Sequence, residues 1–244
     1  MKINSLIIIL ITLSFVACNK DEEEKKETTS SISGKVALYD EGQASVDNSS
    51  MTVTVEGASP VLSAQTDTEG DFTIENVPFG TYNLLFEKTG YGTYKYYDIS
   101  LSELEGAQAI TETLNLGKIS NTMFVNKFSA RVVDQSLVIN GATDPEGTIE
   151  NPRFIRVFYS TDENVSNTNY EYYSNAYSIT SSSFGLTISN QEFIDAGFES
   201  GSTVFLKTYG DSYWNNSYEN PTSGEMVFPN LSTDSPETVS FVIP

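Results

Sequence analysis

Three acids crowd one glycine in "TDTEGD", where Asp67, Glu69 and Asp71 surround Gly70. Carboxylates beside a glycine are the raw material of a calcium loop. Such a loop needs oxygen ligands at alternate positions, glycine at the sixth and a bidentate Glu at the twelfth. Counting from Asp67, the glycine falls fourth and the twelfth residue is Pro78, so the spacing excludes that loop. It fits the tight turn before a strand, with Asp67 accepting hydrogen bonds from the turn's backbone and Gly70 taking a positive φ without steric cost.

A second chemistry-bearing stretch is "YGDSYWNNSYENP", residues 209–221. It holds the single tryptophan, Trp214, with Tyr213, Tyr218, Asn215, Asn216, Glu219 and Asn220. Flat rings among amides and carboxyls suit a sugar, whose apolar faces stack on rings while its hydroxyls bond the amides. The segment follows an expected strand, which places it in an end loop. The plainer alternative is that Trp214 packs under that loop. A third stretch, "NTNYEYYSNAY", mixes Tyr170, Tyr172, Tyr173 and Tyr177 with asparagines, a pattern that also decorates the exposed face of a strand. Acid pairs of glycosidase type can be drawn in many ways from 33 acidic residues, and no motif marks one.

The chain has no histidine, which removes Ser-His-Asp and Cys-His catalysis and HExxH zinc sites together. Its one cysteine, Cys18, precedes the folded part, leaving no disulfide or cysteine metal site there. The expectation is no catalytic residue, no metal and no cofactor. A formal charge of -20 disfavours nucleic acid, whose phosphates call for basic patches.

These residues must be positioned by what surrounds them. The opening "MKINSLIIILITLSFVACNK" has an apolar run from Leu6 to Ala17. That is short of the roughly 20 residues a membrane helix needs, and reads as a signal peptide over residues 1–17. Phe15-Val16-Ala17-Cys18 resembles the bacterial lipobox, whose cysteine becomes the lipidated first residue, although Phe15 stands where Leu is usual. A plain signal peptide with a chance cysteine is the alternative. Residues 18–30 then form the lipidated Cys18 and an acidic linker, since Asn19 to Ser31 includes nothing apolar to bury. Lys20-Asp21-Glu22-Glu23 resembles the acidic export signal of Bacteroidetes surface lipoproteins. The implied partner is the outer membrane through a lipid anchor with the chain facing outward, and a periplasm-facing linker is the alternative.

From Ile32 onward short alternating apolar runs are broken by Gly, Asn, Asp and Pro, with no long helical period. The reading is all-β, two tandem β-sandwiches over residues 31–118 and 119–244. In the first, Ile32, Val36 and Leu38 share a face, as do Val53 and Val55, Phe72 and Ile74, and Tyr82, Leu84 and Phe86. Two strands flank "ENVPFG", with Pro78 and Gly80 supplying a turn. "ISLSELEGAQAITETLNLG" adds a short helical turn and a last strand. The pattern on Thr66, Asp67, Gly70, Phe72, Ile74, Val77, Pro78, Gly80, Tyr82, Leu84, Phe86, Gly90 and Tyr91, with "ISGKV" as first strand, resembles the carboxypeptidase regulatory-like domain, a transthyretin-like sandwich. That resemblance implies that these are fold residues without catalytic roles, in a rigid spacer or a surface assembly.

In the second domain the candidate strands are "FSARVVD", "SLVING", "RFIRVFYST", "SSFGLTIS", "TVFLKTYG", "GEMVFPNL" and "TVSFVIP". Seven strands with polar turns suggest an immunoglobulin-like or fibronectin type III-like sandwich, and Ser189 to Glu192 has capping-box spacing. Together these features predict a non-catalytic binding or accessory module at the cell surface. Its expected ligand is an extracellular glycan held by Tyr213, Trp214, Asn215, Asn216 and Tyr218. The alternative is a structural or assembly subunit that contacts envelope proteins through strand edges.

Overall fold

A computed structural model describes residues 28–244, the side chains of Asn126 and Lys127 excepted. The signal peptide, Cys18 and the linker as far as Glu27 lie outside the described residues.

The first sandwich is built from β1 (Thr29–Tyr39), β2 (Thr52–Val55), β3 (Ser63–Gln65), β4 (Asp71–Pro78), β5 (Gly80–Glu87), β6 (Tyr94–Leu101) and β7 (Gln108–Gly117). One sheet has the order β4-β1-β7, with β1 antiparallel to β4 and parallel to β7; the other has the order β3-β2-β5-β6. Side chains alternate across a strand, so the apolar residues of each strand reach one shared core, among them Val36, Leu38, Val53, Phe72, Ile74, Leu84, Phe86 and Leu116. Each fully buried side chain of this size contributes roughly 1.5–3 kcal/mol.

The turn that carries Gly70 forms as its residues require. Asp67 Oδ1 accepts the Asp71 N–H at 2.9 Å, and the Gly70 N–H donates to the Asp67 carbonyl at 3.1 Å. Gly70 has φ +87°, and a Cβ there would overlap the Val36 carbonyl oxygen. The three carboxylates serve local partners: Asp71 pairs with Lys35 at 3.0 Å and Glu69 accepts from Thr68.

Two expectations are corrected here. The linker reading ran through Ser30, yet β1 begins at Thr29 and pairs Thr29 with Pro78 and Ser30 with Val77. A ladder needs backbone groups and no apolar side chain, so the polar composition did not reveal it. Pro78 and Gly80 do not make a turn of their own either: Pro78 ends β4 and Gly80 begins β5, and β4 pairs with β1 while β5 pairs with β2 and β6. Pro78 has no N–H for a ladder; the chain crosses at Phe79, whose N–H donates to Thr28. Residues 102–106 make one hydrogen-bonded turn closed by the Gly106 N–H on the Ser102 carbonyl.

The second sandwich sets β8 (Met123–Val133), β9 (Ser136–Asp144) and β13 (Ser183–Ser189) against a sheet of β10 (Arg153–Ser160), β14 (Thr203–Asp211) and β17 (Val239–Val242). Two short strands, β11 (Tyr172–Tyr173) and β12 (Tyr177–Ile179), pair with the far side of β10. Counting β11 and β12 as one interrupted edge, the division is three strands against four, as in immunoglobulin-class sandwiches. The helix α1 (Asn190–Asp195) starts where the capping spacing placed it, with Ser189 Oγ accepting the Glu192 N–H at 3.3 Å.

The expected strand "GEMVFPNL" shrinks to β16 (Met226–Val227), paired with β15 (Tyr218–Glu219). Its remaining apolar residues, Phe228 and Leu231, pack with Phe158 and Val165 in a satellite core on the outer face of the four-stranded sheet. That cover buries an ion pair: Arg156 Nε lies 2.8 Å from Asp211 Oδ2, and the guanidinium sits 4.5 Å from the Phe228 ring centre.

Candidate functional site

The Trp214 segment leaves β14 and runs across the first sandwich instead of forming a free end loop. The Tyr213 N–H donates to the Glu41 carbonyl at 2.9 Å. The Trp214 ring lies 5.2 Å from Tyr39 and meets Tyr213 edge-on at 5.1 Å, and Tyr213 in turn meets Phe154 at 5.6 Å. Four rings from both sandwiches thereby fix one another along the seam.

Beneath them two asparagines clasp the domains together. Asn216, 5% exposed with φ +54°, accepts the Gly117 N–H at 2.8 Å. Its Nδ2 lies within bonding distance of the carbonyls of Gly117 at 3.0 Å and Gly92 at 3.2 Å and of Asn230 Oδ1 at 3.1 Å. Asn230, fully buried, accepts the Gly92 N–H at 2.9 Å and donates to the carbonyls of Gly117 and Trp214 at 2.8 and 2.9 Å. Glycine is needed at both contact points, because a Cβ on Gly92 would overlap the Pro229 carbonyl and one on Gly117 that of Trp214. Ser212 Oγ adds a bond to the Lys118 carbonyl, and Glu41 reaches Arg153 at 3.6 Å while accepting the Asn121 N–H at 2.9 Å.

This geometry redistributes the five residues proposed for a ligand. Asn216 is a peg of the joint with both ends of its amide committed, so it can line a cleft but brings no unpaired amide group to it. Tyr218 packs against Tyr94 and Tyr97, each at 6.0 Å. Tyr213, Trp214 and Asn215 remain, and they line a cleft of about 360 Å³, at the small end of the roughly 300–1,000 Å³ usual for ligand sites. Its other lining residues are Asn216 and Ser217 from the second sandwich and Tyr94, Thr113, Leu114, Asn115 and Leu116 from the first. Tyr213 is 43% exposed. Asn115 Oδ1 accepts from Tyr39 and Asn215 Oδ1 from the Ser217 N–H, while neither amide nitrogen has a partner among the described residues. No lining residue is an acid, a base or a thiol, so these walls can stack and hydrogen-bond but hold no carboxylate or imidazole for proton transfer.

The tyrosine-rich stretch is structural. Neighbouring Tyr172 and Tyr173 on β11 point to opposite faces: Tyr172 stacks on Tyr159 at 5.8 Å in the main core, and Tyr173 meets Phe228 at 4.8 Å in the satellite core. The Tyr170 hydroxyl donates to the Met226 carbonyl at 2.9 Å, and Tyr177 packs on the main core, where burial pushes its hydroxyl up to about 12. The motif residues Gly90 and Tyr91 lead into the joint: Gly90 has φ +86°, its carbonyl accepts the Ile119 N–H, and Tyr91 is buried with its hydroxyl pushed up to about 12, first by burial and then by Asp40 and Asp47. Gly80 and Tyr82 lie on β5, where Tyr82 packs against the first core. Sequence reasoning missed Tyr39, Thr113, Asn115 and Asn230, whose places at the seam depend on parts of the chain far apart in sequence.

Residues 31–115 match the family of the carboxypeptidase regulatory-like domain, the first sandwich less its final residues. No curated protein matches the chain significantly. Among solved structures, a candidate carbohydrate-binding protein from Bacteroides uniformis is similar at 13% identity and a TM-score of 0.33, over 88% of this chain and 100% of that one. A DUF3823 family protein from Parabacteroides merdae is similar at 11% identity and a TM-score of 0.31, over 88% of this chain and 98% of that one. Likeness at that level transfers nothing from those proteins to this chain.

Proposed function

We propose that the chain is a non-catalytic binding module of the cell surface, held to the outer membrane through lipidated Cys18, and that its seam cleft takes an extracellular glycan. The observation that carries this reading is the exposed Tyr213 beside the partly buried Trp214, fixed by neighbouring rings near the unpaired amide nitrogens of Asn115 and Asn215. Ring faces and amides together match the amphipathic surface of a sugar. The test is a broad glycan array probed with residues 19–244. A hit weakened by Tyr213→Ala supports the reading, and an empty array ends it. Protease shaving of intact cells beside a Cys18→Ala variant tests the anchor: removal of the wild-type protein supports an outward-facing lipoprotein, and protection overturns it.

A specific observation also favours the assembly reading. The Asn216–Asn230 clasp joins the sandwiches as a spacer would require. Co-purification of one stoichiometric envelope protein, indifferent to Tyr213→Ala, would move the function from the cleft to the strand edges.

A further inference from the structure

The seam cleft differs in charge from every other cleft described in this molecule. The chain carries 33 acidic and 13 basic residues, and the remaining clefts each expose charge: Asp98 and Glu105 in one, Asp144 and Glu146 in a second, Glu192 and Asp195 in a third, Glu87 and Lys88 in a fourth. The ten residues lining the seam cleft include no charged side chain.

We propose, resting on the glycan reading above, that this cleft selects an uncharged oligosaccharide and rejects anionic and cationic ones. A uronate or sulfate entering it would lose hydration without meeting a cation, inside the field of a chain of formal charge -20. An amino sugar would find no carboxylate to replace its water. A neutral sugar meets what the walls offer: the rings of Tyr213 and Trp214, the amide nitrogens of Asn115 and Asn215, and the Thr113 hydroxyl on the exposed face of β7. Because Thr113 and Asn115 come from one sandwich and Tyr213 to Asn215 from the other, the complete site exists only while the clasp is closed.

Calorimetry with residues 19–244 tests this, using cellohexaose, xylohexaose and mannohexaose as neutral probes, hexagalacturonate as the anionic probe and a chitosan hexamer as the cationic one, at low and high salt. The expected result is binding of at least one neutral probe with an affinity that salt leaves unchanged, weakened at least about fivefold by Tyr213→Ala, the loss of one ring contact. Asn115→Ala, on the opposite wall, should weaken the same probe, and thermal melts of both variants should stay near that of the parent. Salt-resistant binding of a charged probe that Tyr213→Ala abolishes would overturn the neutral selectivity and leave the glycan reading standing. Silence from all probes, or neutral binding untouched by both variants, would overturn the two together.

Discussion

Asp211 and Asn216 lie a few residues apart, both are buried, and each ties two parts of the molecule together, one with charge and the other with amides. Asp211 joins Arg156 under the cover of the four-stranded sheet, and burial pushes its carboxyl up even with the guanidinium beside it. Asn216 and Asn230 join the sandwiches with neutral groups whose donors and acceptors are all matched. A buried ion pair need not recover in attraction what it costs to desolvate, and removing half of it leaves an uncompensated buried charge. A matched amide network has no charge to desolvate or titrate, so its strength should depend little on salt and pH.

That contrast can be broken at both ends. Asp211→Ala strands a buried guanidinium and should cost about 3–5 kcal/mol in denaturant unfolding, whereas replacing both partners by apolar residues of similar volume should restore most of it. Gly117→Ala drives a methyl into the Trp214 carbonyl without touching either core, for a loss of about 1–3 kcal/mol; limited proteolysis should then cut near residues 118–121. Asn230→Ala and Asn216→Ala each leave buried groups unmatched, at about 1–3 kcal/mol. Combined, they should lose less than the sum of the two, because they share partners.

The smallest effect concerns pH. Glu171 accepts from Thr161 Oγ1, the Thr161 N–H and Ser160 Oγ, bonds that hold its carboxyl below the ordinary 4.5. A lowered folded value means stability that is present above about pH 4.5 and lost as pH falls through the folded value. Asp211 has the opposite sign: its folded value lies above the ordinary 3.8, so its contribution is full below that value and lost as pH rises through the folded one. Glu171→Gln should therefore flatten the acid limb of a stability-against-pH curve slightly, while Asp211→Asn should not flatten it. A steeper acid limb in Glu171→Gln would contradict the assignment.

What was legible in the sequence was local. The Asp67 to Gly70 turn closes over a few residues, and Ser189 reaches Glu192 within one turn, so residue types and spacing sufficed. Strand alternation announced both cores because every second side chain needs cover. Pairing partners were less visible: nothing local says that Pro78 pairs with Thr29 and Gly80 with Leu101, which is why a crossing between sheets read as a turn between two strands. The seam was the least visible part. Asn216 and Gly117 are 99 positions apart, and an asparagine beside a tryptophan looks the same in sequence whether it greets a sugar or a glycine's backbone. Tyr213, Trp214 and Asn215 do line a cleft, but half of its lining comes from β6 and β7 of the first sandwich, which no reading of residues 209–221 could supply.

The parallel pairing of β1 with β7 also has a mechanical meaning. The linker enters at Thr29, the start of β1, and the chain departs for the second sandwich at Gly117, the end of β7. Tension between those points draws the two strands past each other along their length. It strains the ladder from Ile32 opposite Gln108 to Tyr39 opposite Gly117 as a set, where an antiparallel pair pulled at one end would peel bond by bond. The first sandwich is thus arranged as a shear coupling, stiff toward any force that passes between Thr29 and the second sandwich.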